Sequence, residues 1–203
     1  MKNLANYLKE KGFFKKRVIY NAFSKIDRAD FVPELFKENS YKDIPISIGY
    51  GQTISQPQVV AFMLEILNPK KGQSILDIGF GSGWSVALLA EIVKEGKVIG
   101  IEKVPEVYNF GKRNIEKYNF LKKGVVKLFL KDGRSGEEKE GPYDRILVSA
   151  ADRDKRIIKE LGKQLKEEGR IVVPINSSIF LFVKKQGKFK SKEYPGFIFV
   201  PLT

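Results

Sequence analysis

Apolar residues recur at two different spacings along this chain, and the spacing changes from region to region. Leu4, Tyr7 and Leu8, then Val18, Ile19, Ala22, Phe23 and Ile26, fall at helical intervals, which predicts two short amphipathic helices separated at Gly12. Pro33 disfavours helix at Val32. Tyr41 to Pro57 reads as a loop, long for a compact domain, whose Pro, Gly and hydroxyl residues suit binding more than connection. Pro57 then stands where a helix starts, with Val59, Val60, Met63, Leu64 and Leu67 on its apolar face. Beyond it, short apolar runs at 74–78, 98–102, 125–130, 143–149 and 169–174 have strand length, and helical segments at 84–90, 105–118 and 155–165 alternate with them. Such alternation predicts an α/β fold with a doubly wound, mostly parallel sheet and right-handed crossovers. Ile179 to Lys184 and Gly196 to Val200 leave no room for a helix between them, so they are predicted to form an antiparallel pair at the sheet's edge.

The chemistry is concentrated after the first strand, in Ser74-Ile75-Leu76-Asp77-Ile78-Gly79-Phe80-Gly81-Ser82-Gly83-Trp84. A buried strand ends in an acid, three alternate glycines allow a sharp turn without Cβ atoms, and an apolar helix follows. That arrangement makes a nucleotide-type pocket at the carboxyl end of the strand. A dinucleotide fingerprint needs a small residue at its sixth position; counting from Gly79 or Gly81, that position holds Trp84 or Val86. The pattern D-x-G-x-G-x-G instead resembles the first motif of S-adenosylmethionine-dependent methyltransferases, a Rossmann-like fold. That ligand has no phosphate, so an acid at the strand end is tolerable and Asp77 can sit near its cationic methionine end. Glu102 ends the next strand, nineteen positions after Gly83, about where an acid accepts hydrogen bonds from ribose hydroxyls.

Composition narrows the chemistry further. The 203 residues contain neither Cys nor His, so disulfides, Cys/His zinc sites, a thiolate nucleophile and an imidazole base are all excluded. The formal charge of +13 raises the question of nucleic acid, but the lysines are spread through the chain, with local concentrations at Lys15-Lys16-Arg17, Lys122-Lys123 and Lys184 to Lys192, and no long basic arm. Nucleic acid is therefore not the expected partner. No apolar run reaches membrane-spanning length, and a single cytoplasmic domain, acting as a monomer, is the expectation, with residues 1–57 as a helical cap and active-site loop and 58–203 as the cofactor-binding core.

The long loop carries a more specific resemblance. Phe31-Val32-Pro33-Glu34, Tyr41 through Pro45 and above all Ile48-Gly49-Tyr50-Gly51-Gln52-Thr53-Ile54-Ser55-Gln56-Pro57 are similar to the protein-L-isoaspartate O-methyltransferase family. The similarity continues through Asp77 to Gly83, Glu102 to Glu106, Asp132-Gly133, Gly141 to Ile146 and Phe199 to Leu202, so it covers nearly the whole chain. The resemblance implies a repair enzyme that moves the methyl of S-adenosylmethionine to the free carboxylate of L-isoaspartyl residues in damaged peptides and proteins, releasing S-adenosylhomocysteine. It also implies roles. Ser55 matches the family's active-site serine and Thr53 lies beside it. Asp77, Gly79, Gly81 and Gly83 shape the methionine pocket, Glu102 the ribose, and Asp132 with Gly133 the adenine edge, and Ser82 and Lys103 also count among the cofactor-binding residues. No metal is implied.

A carboxylate is already ionised near neutral pH, so its attack on a sulfonium methyl needs no strong base, only alignment and a dry site. Hydroxyls at Thr53 and Ser55 suit that task, although the same residues also suit loop turns and helix capping. The chain departs from the family at Asp152-Arg153-Asp154-Lys155-Arg156, which reads as a solvated helix start with Asp152 or Asp154 as N-cap, or as a changed peptide preference. Two rival functions are an RNA or tRNA methyltransferase and a non-catalytic S-adenosylmethionine-binding module. The first lacks the Asn/Asp-Pro-Pro-aromatic segment of exocyclic amine methylation, since Ser149-Ala150-Ala151-Asp152 stands in its place, which leaves methylation of a ring nitrogen open. The second leaves the hydroxyl loop without a purpose.

Overall fold

Two short helices open the chain, α1 (Leu4–Glu10) and α2 (Arg17–Lys25), and both turn their apolar stripes inward. The computed structural model describes residues 4–152 and 155–200. Two 3-10 turns, Arg28–Phe31 and Glu34–Asn39, carry the chain past Pro33, and Val32 before the proline is extended, with φ −111° and ψ 136°. The long loop is partly regular: β1 (Ile46–Gly49) and β2 (Gln52–Ile54) form an antiparallel hairpin that pairs Ser47 with Thr53. Its tip, Tyr50-Gly51, has positive φ at both residues, as a tight hairpin turn requires. Tyrosine is a poor signal for such a turn, which is why the segment reads as a loop.

α3 (Pro57–Leu67) begins at its proline, and the Asp43 carboxylate accepts the Gln58 N–H at 2.9 Å at that helix start. The α/β alternation then runs as β3 (Ser74–Ile78), α4 (Trp84–Val93), β4 (Lys97–Glu102), α5 (Pro105–Glu116), β5 (Val126–Leu130), β6 (Tyr143–Val148), α6 (Arg156–Lys163), β7 (Leu165–Ile175), β8 (Ser178–Lys185) and β9 (Lys188–Pro195). The seven strands from β3 to β9 lie in the order β5-β4-β3-β6-β7-β8-β9, parallel from β5 to β7 and antiparallel beyond. Alternate residues of the central strands face opposite sides. Ile75, Val98, Leu147 and Val172 join a core that includes α3 and α4, while Leu76, Ile78, Ile99, Ile146 and Ile171 pack with Ile157, Ile158 and Leu161 of α6. The strand order reverses between β3 and β6, and the crevice at their carboxyl ends is where such sheets bind ligands.

Two expectations need correction. The partner of β8 is β9, not Gly196 to Val200: Gln186 and Gly187, both with positive φ, close a two-residue hairpin. The polar sequence Lys188-Phe189-Lys190-Ser191-Lys192-Glu193-Tyr194 conceals a strand because it forms the exposed edge, where lysines discourage further pairing. Gly196 to Val200 instead leaves the sheet. The N–H groups of Gly196 and Phe197 donate to the Ser177 carbonyl, Phe197 stacks on Phe62 at 5.4 Å, and the Val200 carbonyl accepts from Ala151 N–H. Asp152 is not an N-cap either: it bridges to Ile175, and α6 starts after Lys155. Arg153 and Asp154 lie outside the described residues.

One acid on the buried side of α3 ties the helical cap down. Glu65 Oε1 accepts the N–H groups of Lys15 and Lys16 at 3.0 and 2.9 Å, and Oε2 pairs with Lys16 Nζ at 2.7 Å. Glu65→Gln exchanges a charged acceptor for a neutral one, so a loss of about 1–3 kcal/mol is expected. Denaturant unfolding should show a lower midpoint with an unchanged slope; an unmoved midpoint would contradict this role.

Candidate active site

The glycine turn leaves β3 under tight steric control. Gly79, Gly81 and Gly83 have φ of 74°, 55° and 88°, a region side chains rarely adopt. At Gly83 there is no room either, because a Cβ would stand 2.8 Å from the Gly111 carbonyl oxygen of α5. The contact is mutual: a Cβ on Gly111 would come within 2.4 Å of the Gly81 carbonyl oxygen. α5 thus packs backbone to backbone against the turn, and Gly111, which sequence reasoning gave no role, is as necessary there as the motif glycines. Gly133 is constrained similarly, its missing Cβ falling 2.4 Å from Ile78 Cγ2.

The three acids take distinct positions. Asp77 is fully buried behind the wall of the crevice rather than on it. Its oxygens accept hydrogen bonds from Ser85 Oγ at 2.5 Å and Ser149 Oγ at 2.8 Å, and those two serines do line the crevice. Burial pushes the Asp77 carboxyl up to about 6, against the opposing pull of the two hydroxyls, and the nearby Glu102 charge adds to the rise. Glu102 is nearly buried and bridges two loops, accepting from Lys103 N–H at 2.8 Å and Val104 N–H at 3.0 Å through Oε1 and from Gly81 N–H at 3.1 Å through Oε2. Asp132 lies at the outer edge, ion-paired with Lys103 at 3.3 Å and Arg134 at 2.8 Å. Burial opposes its ionisation, but the Arg134 N–H and the two cations hold its carboxyl below the usual range.

Three adjoining hollows meet at Thr53. The inner one is lined by Thr53, Ser55, Gly79, Gly81, Ser82 and Trp84, with Ser85 and Ser149 opposite. A second opens toward Glu102, Lys103, Lys131 and Gly133, with Val200 at its rim. The third, about 240 Å³, lies outside, between Pro45, Ser55, Gln56 and Val59 on one side and Ile198, Phe199 and Val200 on the other. Thr53 borders all three, and Ser55 borders the inner and outer ones. Neither hydroxyl bonds to another described residue. The structure therefore gathers Thr53, Ser55, Gly79, Gly81, Ser82, Glu102, Lys103 and Gly133 around one crevice, and sets Asp77, Gly83 and Asp132 behind or beside it. Sequence reasoning missed Ser85 and Ser149; the latter's place at the end of β6, where the strand order reverses, was the available signal.

The β1–β2 hairpin is held from beneath by a side chain that also escaped notice. Arg28, 1% exposed, donates to the carbonyls of Ser40 (2.9 Å), Lys42 (3.2 Å), Ile44 (2.9 Å) and Ser55 (3.1 Å). Burial lowers its guanidinium to about 10, partly offset by Asp43, so it stays charged at neutral pH.

Known proteins share this architecture and sequence. The family model for protein-L-isoaspartate(D-aspartate) O-methyltransferase matches residues 1–203. A protein-L-isoaspartate O-methyltransferase of Methanopyrus kandleri is 38% identical, with 98% of this chain and 89% of that protein aligned. One of Archaeoglobus fulgidus, protein-L-isoaspartate O-methyltransferase 2, is 42% identical over 92% and 85%. A crystal structure from Plasmodium falciparum, of a putative protein-L-isoaspartate O-methyltransferase in complex with S-adenosyl-L-homocysteine, superposes with a TM-score of 0.87 at 28% identity and covers 98% of this chain and 96% of that one. With its glycine turn, Glu102 and the hydroxyl hairpin converging on one crevice and Asp77 buried behind it, the chain belongs to the protein-L-isoaspartate(D-aspartate) O-methyltransferase family.

Proposed function

We propose that the crevice holds S-adenosylmethionine beneath the Gly79–Gly83 turn and that Thr53 and Ser55 align the free carboxylate of an L-isoaspartyl residue beside it. The observation that carries this reading is that Thr53 and Ser55, whose hydroxyls are unbonded to other described residues, both border the inner and the outer hollow. A ligand in one hollow and a peptide in the other meet there. The residues suit the cofactor. A carboxylate offers about four acceptor sites, and Glu102 spends three on N–H groups, which leaves capacity for a ribose hydroxyl. Two carboxylates beside a glycine turn would repel a pyrophosphate but suit a ligand whose amino-acid end is cationic. Lys103 and Gly133 border the nucleoside side, with Asp132 at its edge.

When bound, S-adenosylmethionine supplies a methyl group on a positively charged sulfur, activated for displacement. The chain then has little chemistry left to perform. The acceptor carboxylate is ionised near neutral pH, so the absence of His from the sequence is no obstacle. Thr53 and Ser55 donate hydrogen bonds that hold one carboxylate oxygen in line, converting a bimolecular reaction into a positioned one. Ile54, Val60, Met63 and Leu147 form the apolar part of the inner wall and exclude water from the reacting pair. Asp77 acts through Ser85 and Ser149: their O–H groups point at the carboxylate, so their lone pairs are what the crevice receives.

Methyl transfer from labelled donor to an isoaspartyl peptide and to its normal aspartyl twin tests the proposal directly. Label should enter the isoaspartyl peptide alone, and Ser55→Ala should lower kcat about tenfold or more while S-adenosylhomocysteine affinity changes less than about threefold. Equal labelling of the twins would contradict the substrate, and lost cofactor affinity would contradict the place given to Ser55.

Asp77 gives a prediction of opposite signs. Its folded carboxyl is raised from 3.8 to about 6, so its stabilising contribution is fully present in acid and is lost as pH rises through about 6. At pH 7.5 the buried charge costs up to ~3 kcal/mol. Asp77→Asn should therefore raise stability at that pH by about 1–3 kcal/mol, yet weaken cofactor binding, and wild-type binding should fall off below about pH 6. Calorimetric unfolding and binding titrations at pH 5 to 8 check both; a destabilised variant with unchanged affinity would contradict the assignment.

A further inference from the structure

Most cations near the crevice are spoken for. Among the described residues that border its three hollows, the basic ones are Lys103 and Lys131, and these pair with Asp132 at 3.3 Å and Glu137 at 2.9 Å. Arg28 differs. It is almost wholly buried, it makes no ion pair with a described carboxylate, and its Nε has no hydrogen-bond partner. Carbonyl dipoles alone surround its other nitrogens. Asp43 is the carboxylate whose field reaches it, and that side chain is engaged at the start of α3.

Its place is as informative as its surroundings. One of the four carbonyls it grips belongs to Ser55, a residue that borders both the inner and outer hollows. Its guanidinium carbon lies 5.4 Å from the centre of the Trp84 ring, and Trp84 lines the inner hollow. A positive charge thus sits one residue behind the wall at the point where the acceptor is held. In a dry, poorly polarisable interior such a charge is felt across several ångströms. Tying four carbonyls together does not by itself explain a charge buried at such desolvation cost.

Resting on the acceptor site described above, we infer that Arg28 is a positioning residue whose unpaired charge, acting through the Ser55 segment, makes that site select an anionic acceptor over a neutral one of the same shape. It does not distinguish isoaspartyl from aspartyl residues, since both carry a carboxylate; that choice is left to the shape of the cleft. The role is twofold: the guanidinium fork fixes the Ser55 peptide, and the charge lowers the energy of the carboxylate that Ser55 aligns.

The test uses an isoaspartyl peptide and a twin in which the same carboxylate is a carboxamide, titrated into the enzyme saturated with S-adenosylhomocysteine. The wild type should bind the carboxylate at least about tenfold more tightly than the amide. Arg28→Lys keeps the charge but not the fork, so both peptides should weaken while the ratio stays within about threefold of wild type. In Arg28→Met, still binding S-adenosylhomocysteine, the ratio should fall toward one. A ratio unchanged in Arg28→Met, or lost equally in Arg28→Lys, overturns the inference and leaves Arg28 a structural tie. Should Arg28→Met fail to fold, the wild type decides: the bound peptide's labelled carboxyl, followed by carbon NMR against pH, should titrate below its free value, and titration above it overturns the inference. Binding of neither peptide by the wild type would instead overturn the substrate reading, and this inference with it.

Discussion

The Glu102 carboxylate joins the two loops between which the crevice opens. One oxygen accepts the Gly81 N–H of the glycine turn, and the other accepts the Lys103 and Val104 N–H groups that lead into α5. α5 in turn presses Gly111 against the Gly81 carbonyl with no space for a side chain. A hydrogen-bonded acid and a backbone contact thus fix the turn from two directions. The turn needs that support because its three glycines would otherwise leave it conformationally free. Everything bound at the carboxyl ends of β3 and β4 takes its position from this joint.

Against that rigid floor stands a roof of different physical character. The β1–β2 hairpin is small, and two strands alone are marginal in water. Its hold on the molecule comes from Arg28 beneath, from Asp43 at the start of α3, and from Ile46, Ile48 and Ile54, which are buried in the main core. The chemistry divides along the same line. In the function proposed above, the floor would supply acceptors and charge to a cationic nucleoside, and the roof neutral hydroxyl donors to an anion. A protein without His or Cys can run this methyl transfer because the nucleophile arrives already ionised and the electrophile arrives already activated.

Much of this was legible in the sequence, for physical reasons that can be named. Strands buried on both faces read as continuous apolar runs, and the acid–glycine–helix signature between β3 and α4 admits few alternatives. That Thr53, Ser55, Gly79 and Glu102 border one crevice followed from that signature and from the family resemblance of the hairpin loop. What escaped depends on partners distant in sequence. The polar edge strand β9 has no hydrophobic period to betray it, and its neighbour Gly196–Val200, which looks more strand-like, leaves the sheet and borders the outer hollow instead. Gly111 looks like any helical glycine until α5 is packed on the turn. Arg28 looks like a surface arginine in an Asp27-Arg28-Ala29-Asp30 run, and only tertiary structure places four carbonyls around it. Asp77 was expected at the ligand and lies behind two serines that face the crevice in its stead.

The central claim is geometric: a donor beneath the glycine turn and an acceptor beneath the hydroxyl hairpin share one line. A crystal structure of the enzyme with S-adenosylhomocysteine and an isoaspartyl peptide measures that line directly. The account predicts the sulfur against the Gly79–Gly81 backbone, a ribose hydroxyl on Glu102, and one oxygen of the isoaspartyl carboxylate on Thr53 or Ser55 Oγ and facing the sulfur. A nucleoside bound away from Glu102, or a carboxylate held elsewhere with both hydroxyls turned aside, would contradict it.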